Sequence, residues 1–183
     1  DDEAPQRALK SWDKTGNVIH CTSLHKILAP GLRLGWISGG RWQARVEMFK
    51  HAQTHYNEEL SQLAAADFIA SSAYDRHLRR LRGTLRQHRQ QMTEAITTYF
   101  PPGTRMNHPN GGMTLWVELP DQLSSQHLFD AALAEGILIA PGLMFSNSNR
   151  FAHFVRLNCG WPYSPDVDAA VKRLGELCLQ LTR

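Results

Sequence analysis

Between Tyr74 and Phe100 the apolar residues Leu78, Leu81, Leu85, Met92, Ile96 and Phe100 recur at intervals of three, four and seven. That period lays one stripe along a single long helix, which Pro101-Pro102-Gly103 stops. The helix divides the chain into two lobes. Before it, Val18–Thr22 follows the turn Thr15-Gly16-Asn17 and predicts a strand. A loop punctuated by Ala29-Pro30-Gly31 leads to a second strand over Leu32–Ile37, closed by Gly39-Gly40. Arg41–His51 and Glu58–Ala70 carry helical spacing. After it, Met113–Leu119 predicts a strand entered through Gly111-Gly112, Ser125–Ala134 a helix ending at Gly136, and Ile137–Ala140 and Phe154–Asn158 two further strands. Pro165–Leu181 predicts a last helix, capped by Ser164 with Pro165 in its first turn. The expected divisions are 1–73, the interdomain helix 74–100, and a small α/β sandwich over 101–183. Two strands fall short of the about 4–6 of an ordinary sheet, so the first lobe reads as the end of a larger one.

With 42% hydrophobic residues in 183, the chain is not a disordered segment. Lys+Arg 20 against Asp+Glu 17 leaves +3, too mild to imply nucleic-acid binding by this chain. No run approaches the ~20 apolar residues of a membrane span, and no signal-peptide pattern is expected from the opening residues. Three cysteines are too few for a disulfide framework and fit a reducing, cytoplasmic setting. The chain begins with Asp1 and not Met, which reads as a piece of something longer. Arg76, Arg79, Arg80, Arg82, Arg86 and Arg89 crowd the long helix without interleaved aromatics, and predict a solvated or interface face. His51 and His55 have no third ligand nearby, so no metal is expected. Cys21 and Cys159 read as small core residues, and Trp36 and Trp116 as packing residues.

Chemistry concentrates in the loop after the first strand, where open α/β sheets take their ligands. Lys26 is flanked three residues earlier by the hydroxyl of Ser23 and seven later by the guanidinium of Arg33. Beside a low-dielectric wall such a lysine loses its proton and becomes an imine-forming nucleophile. A hydroxyl and a guanidinium suit a phosphate dianion. On spacing alone the triplet is commonplace, and a solvated loop is the simpler reading.

The residues in between decide otherwise. Ser23-Leu24-His25-Lys26-Ile27-Leu28-Ala29-Pro30-Gly31-Leu32-Arg33-Leu34-Gly35-Trp36 resembles the lysine segment of fold-type I enzymes dependent on pyridoxal 5'-phosphate (PLP), the aspartate aminotransferase superfamily. Asn110-Gly111-Gly112-Met113 with Trp116 resembles the first strand of that family's small domain, Ile139-Ala140-Pro141-Gly142 with Phe145 its Ala-Pro-Gly turn, and Val155-Arg156-Leu157-Asn158 its carboxylate-binding strand. The four matches occur in the family's order, from about Asn17 onward.

The resemblance implies an α/β fold: the C-terminal part of a PLP-dependent transferase, comprising the end of the large domain and the small domain. Lys26 would form the Schiff base with PLP, Ser23 and Arg33 would hold its phosphate, and Asp1, rather than Asp2, would pair with the pyridinium nitrogen. Arg156 would clamp a carboxylate through two parallel hydrogen bonds. Glu3-Ala4-Pro5 departs from the pattern, which expects several residues and a tyrosine after the aspartates. Lys26–Trp36, Asp1-Asp2 and Tyr74–Arg82 are particularly similar to the aminotransferase-like effector domain of MocR-type regulators of the GntR family. Such a domain implies a homodimer, an amino acid or amine as ligand, and DNA contact only through an N-terminal winged helix absent from this chain. The alternatives are a free class I/II aminotransferase and a degenerate domain that binds no cofactor.

Overall fold

In this computed structural model, which describes residues 7–120 and 123–182, the first sheet is a two-stranded antiparallel ladder of His20–Ser23 (β1) and Gly35–Ser38 (β2). Its register pairs Ser23 with Gly35 and Thr22 with Trp36. Only glycine fits at 35, because an added Cβ would stand 2.3 Å from the Thr22 carbonyl oxygen. The approach to β1 is organised by Asp13. Its carboxylate accepts from the backbone N–H of Val18 and Asn17, each at 3.0 Å, and from Lys10 Nζ at 3.0 Å. The Val18 amide first, then Lys10 and the neighbouring amides, hold that carboxyl well below the usual carboxylate range. Three helices follow: α1 (Gln43–Thr54), α2 (Glu59–Ala70), whose first amides are capped by the Glu58 carboxylate, and α3 (Ser72–Tyr99).

The chain divides into two compact units, Asp1–Leu81 and Arg82–Arg183. The second contains β3 (Arg105–Met106), β4 (Thr114–Glu118), α4 (Ser125–Ala134), β5 (Ala140–Pro141), β6 (Phe154–Asn158) and α5 (Pro165–Leu181). Its sheet runs β3-β4-β6-β5 and is antiparallel throughout. Alternation along β4 and β6 sends Leu115, Val117, Val155 and Leu157 into one core with Ile96, Leu128, Val171 and Leu174. Thr114, Trp116, Glu118, Phe154, Arg156 and Asn158 therefore stand on the opposite face. Ser124 and Ser164 cap α4 and α5 through the N–H groups of His127 and Val167.

The structure departs from expectation in a few places. Of Ile137–Ala140, only Ala140 pairs, as the start of the edge strand β5; Leu138 is 78% exposed. The second strand begins at Gly35 because Pro30–Leu32 turns as a 3-10 helix first. Cys21 and Trp36 are exposed and not core residues, since all four residues of β2 are solvent-facing and no described layer covers that ladder. Cys159 is buried as expected, and so is Cys178; burial pushes their thiols up to about 11 and about 12. Arg89 is also buried. It donates from Nη1 to the Gly112 carbonyl at 3.1 Å, so one of the six arginines serves the Gly111-Gly112 turn and no solvated face. Among the described residues no helix is long and apolar enough to cross a membrane.

Candidate functional site

Between β1 and β2 the chain makes two tight turns that sort its side chains by polarity. Leu24 N–H donates to the Leu34 carbonyl at 2.8 Å, which closes the loop's neck next to Ser23 and Arg33. Inside the loop the amides of Ile27 and Leu28 return to the Leu24 carbonyl, and that of Leu32 to Ala29. Leu24, Leu34 and Ala65 of α2 are buried together, with Ile27, Leu28 and Leu32 packed against them. Each buried leucine contributes about 1.5–3 kcal/mol. The His77 ring of α3 adds a polar anchor, 2.6 Å from the Ile27 carbonyl oxygen. With its leucines turned inward, the loop displays Ser23, Lys26 and Arg33, all exposed.

Each of the three is left available. The Ser23 hydroxyl oxygen accepts from the His25 N–H at 3.2 Å, which leaves its own proton to donate outward. Lys26 Nζ and the Arg33 guanidinium have no hydrogen-bond or ion-pair partner among the described residues. The apolar wall expected beside the lysine is not supplied by this loop, because its leucines face α2. Arg33 adopts φ 51° and ψ 27°, left-handed backbone that costs a non-glycine residue about 1–2 kcal/mol. Such strain concentrates at functional sites. His25 Nδ1 is buried with no hydrogen-bond partner among the described residues.

Arg156 belongs to the second unit. On β6 it lies directly between Trp116 of β4 and Ala140 of β5. Its Cζ sits 4.7 Å from the centre of the Phe145 ring. Trp116 meets Phe145 edge-on at 5.4 Å and stacks on Phe154 at 5.4 Å. Gly142 permits the turn that brings Phe145 there: a Cβ at this position would stand 2.2 Å from the Phe151 carbonyl oxygen. A cavity of about 400 Å³ opens beside Arg156, lined by Phe129, Leu138, Ala140, Met144 and Asn158. Asp1 lies outside the described residues. Resemblance, and not spacing, pointed to Lys26 and Arg156; it did not signal the left-handed backbone of Arg33 or the placing of the Phe145 ring against Arg156.

A model of aminotransferase class I and II matches residues 3–174. The chain belongs to the class I and II aminotransferase family. This aminotransferase-family chain is 38% identical over 168 residues to the uncharacterised HTH-type transcriptional regulator YdcR of Escherichia coli, covering 92% of this chain and 36% of that protein. It is 32% identical over 169 residues to the uncharacterised aminotransferase SSO0104 of Saccharolobus solfataricus, covering 92% of this chain and 42% of the other. The kynurenine aminotransferase of Pyrococcus horikoshii superposes with a TM-score of 0.90 at 28% identity, over 98% of this chain and 45% of that one. The chain thus spans less than half of these relatives, and its fold is that of the C-terminal part of a fold-type I aminotransferase.

The residues fit the cofactor that this family implies. One loop carries a lysine and an arginine with no partner among the described residues and a hydroxyl with its proton free, and that donor set matches a phosphorylated aldehyde better than a metal or a neutral ligand.

Proposed function

We propose that this chain is the ligand-sensing, C-terminal part of an aminotransferase-like effector domain of a MocR-type regulator, and that it binds PLP through Lys26. The observation that carries the proposal is the loop that exposes Ser23, Lys26 and Arg33 with both cations free of carboxylates among the described residues. When bound, the cofactor supplies an aldehyde conjugated to an electron sink. Lys26 Nζ would hold the cofactor through its aldehyde and would carry the proton at the ligand's α-carbon. The Ser23 O–H and the Arg33 fork donate to the phosphate oxygens. Arg156 takes the ligand's carboxylate, and Asp1 pairs with the ring nitrogen. An amino acid or amine competes with Lys26, and its unequal affinity for two arrangements of a homodimer changes DNA affinity through an N-terminal winged helix. The similarity to YdcR supports the regulator reading. A free aminotransferase is the second reading, supported by the match to the Pyrococcus horikoshii enzyme.

The test uses the full-length protein. Borohydride reduction in the presence of PLP is expected to attach one pyridoxyl group, found on the Lys26 peptide, and to leave Lys26→Ala unlabelled. Label at another lysine refutes the assignment. Effector-dependent operator binding without steady turnover supports the regulator; sustained transamination without any DNA response supports the enzyme.

A further inference from the structure

We propose that Phe145 is a positioning residue: its ring carries the Arg156 guanidinium and so sets the affinity for carboxylate ligands. The inference rests on the reading of Arg156 as the carboxylate clamp. Two other arginines of the second unit are spent on carboxylates, whereas Arg150 lies over the Phe151 ring at 4.4 Å as Arg156 lies over Phe145. Arg105 is held bidentately by Glu118 at 2.9 and 2.7 Å, and Arg173 by Glu135 at 2.7 and 2.8 Å. Both are thereby neutralised, and their forks are used. Arg156 has no such partner among the described residues; what it has is the face of Phe145 at 4.7 Å.

An aromatic face holds a guanidinium through the ring quadrupole, which consumes neither the charge nor the N–H groups. A long, flexible side chain on an open sheet face would otherwise lose its rotamer freedom when a ligand fixes it. The ring restricts it beforehand and leaves its fork unpaired for an incoming carboxylate.

The local sequence explains how the pair is made. Ala140 is the cross-strand neighbour of Arg156, and the turn Gly142–Phe145 doubles back over that neighbour. Five residues after Ala140, the ring arrives over the guanidinium. Trp116, on the other side of Arg156 in the register, braces the ring edge-on at an interplanar angle of 82°. The spacing Ala-Pro-Gly-x-x-Phe is thus the length needed to leave the sheet edge beside an arginine and return above it. Beside Arg156 and Asn158 the adjoining cavity has Phe129, Leu138 and Met144 in its wall, and these apolar side chains suit a probe with a branched hydrocarbon tail.

The experiment is calorimetry on the full-length protein with PLP reduced onto it, titrated with 4-methylpentanoate and with the uncharged 4-methylpentanamide. Neither reacts with the cofactor, so the heat reports binding alone. Phe145→Leu is expected to weaken the carboxylate about fivefold to tenfold and leave the amide unchanged. Phe145→Trp, with the stronger quadrupole, is expected to restore wild-type affinity. Equal weakening of both probes by Phe145→Leu, or of neither, overturns the proposal, as does failure of Phe145→Trp to rescue. Arg156→Ala is the separate control. If it still prefers carboxylate to amide, the clamp reading fails and this inference fails with it; if the preference disappears while Phe145→Leu keeps it in full, only the role of Phe145 is refuted.

Discussion

Arg33 offers a direct test, because its backbone and its side chain are expected to pull in opposite directions. The residue sits at φ 51° and ψ 27°, its side chain is exposed, and it has no polar partner among the described residues. Deleting the side chain therefore removes little packing, within about 0.5 kcal/mol. Arg33→Ala keeps the cost of left-handed backbone, about 1–2 kcal/mol. Arg33→Gly is free of it but gives back roughly 0.5–1 kcal/mol through the more flexible unfolded chain. The loop in Arg33→Gly should therefore be more stable than in Arg33→Ala by up to about 1.5 kcal/mol, a factor of roughly ten in opening. Both variants lose the charged hydrogen bonds to the proposed phosphate, about 1.5–3 kcal/mol, or ten- to a hundredfold in PLP affinity. Hydrogen exchange of the peptide spanning residues 24–34 in the apoprotein, beside a fluorescence titration with PLP, reads both quantities. Better protection in Arg33→Ala than in Arg33→Gly refutes the strain argument. Wild-type PLP affinity in either variant refutes the assignment of Arg33 to the phosphate.

Two further perturbations probe the second unit. Gly142→Ala places a Cβ 2.2 Å from the Phe151 carbonyl oxygen and 2.8 Å from that of Phe154, and backbone on both sides has to move. It should destabilise by about 1–3 kcal/mol and lower the urea midpoint; an unchanged midpoint would mean that the turn is not tightly packed. Alkaline stability tests the bonds from Tyr99 and Tyr163 to Asp168, at 2.9 and 2.6 Å. The Asp168 carboxylate raises the Tyr99 hydroxyl above its ordinary 10.0, and burial followed by the same carboxylate raises that of Tyr163. Groups shifted upward contribute stability that is complete below about pH 10 and is lost as pH rises beyond it. Wild-type protein should hold its urea midpoint up to that pH and then decline, whereas the double variant Tyr99→Phe, Tyr163→Phe declines less. Equal slopes would contradict the shifts.

Much of the second unit is legible in the order of its residues. Phe154–Asn158, Ser125–Ala134 and Pro165–Leu181 lie where alternation, helical spacing, Ser164 and Pro165 predict. These signals are local, carried by residues within a turn or two of each other. Elements that depend on a distant partner are less visible. Arg105–Met106 is too short to show a period and exists as a strand through Glu118 and Val117. Ile137–Ile139 has a strand's composition, yet pairing starts only at Ala140, where β6 comes alongside. Arg89 carries the charge of a surface residue and is buried, because its turn of α3 delivers it to the Gly112 carbonyl.

The candidate site divides in the same way. By itself the sequence determined the order of the segments and the helix and strand periods, and its resemblance to a family singled out the residues proposed to do chemistry: Ser23, Lys26, Arg33 and Arg156. Only the tertiary structure decided that Arg33 is strained, that Cys21 and Trp36 face solvent, and that the Arg156 charge rests on an aromatic ring instead of a carboxylate. The physical reason is range: periodicity and capping are settled by neighbours in the chain, whereas burial, register and the pairing of a charge depend on segments that meet only once the sheet has formed.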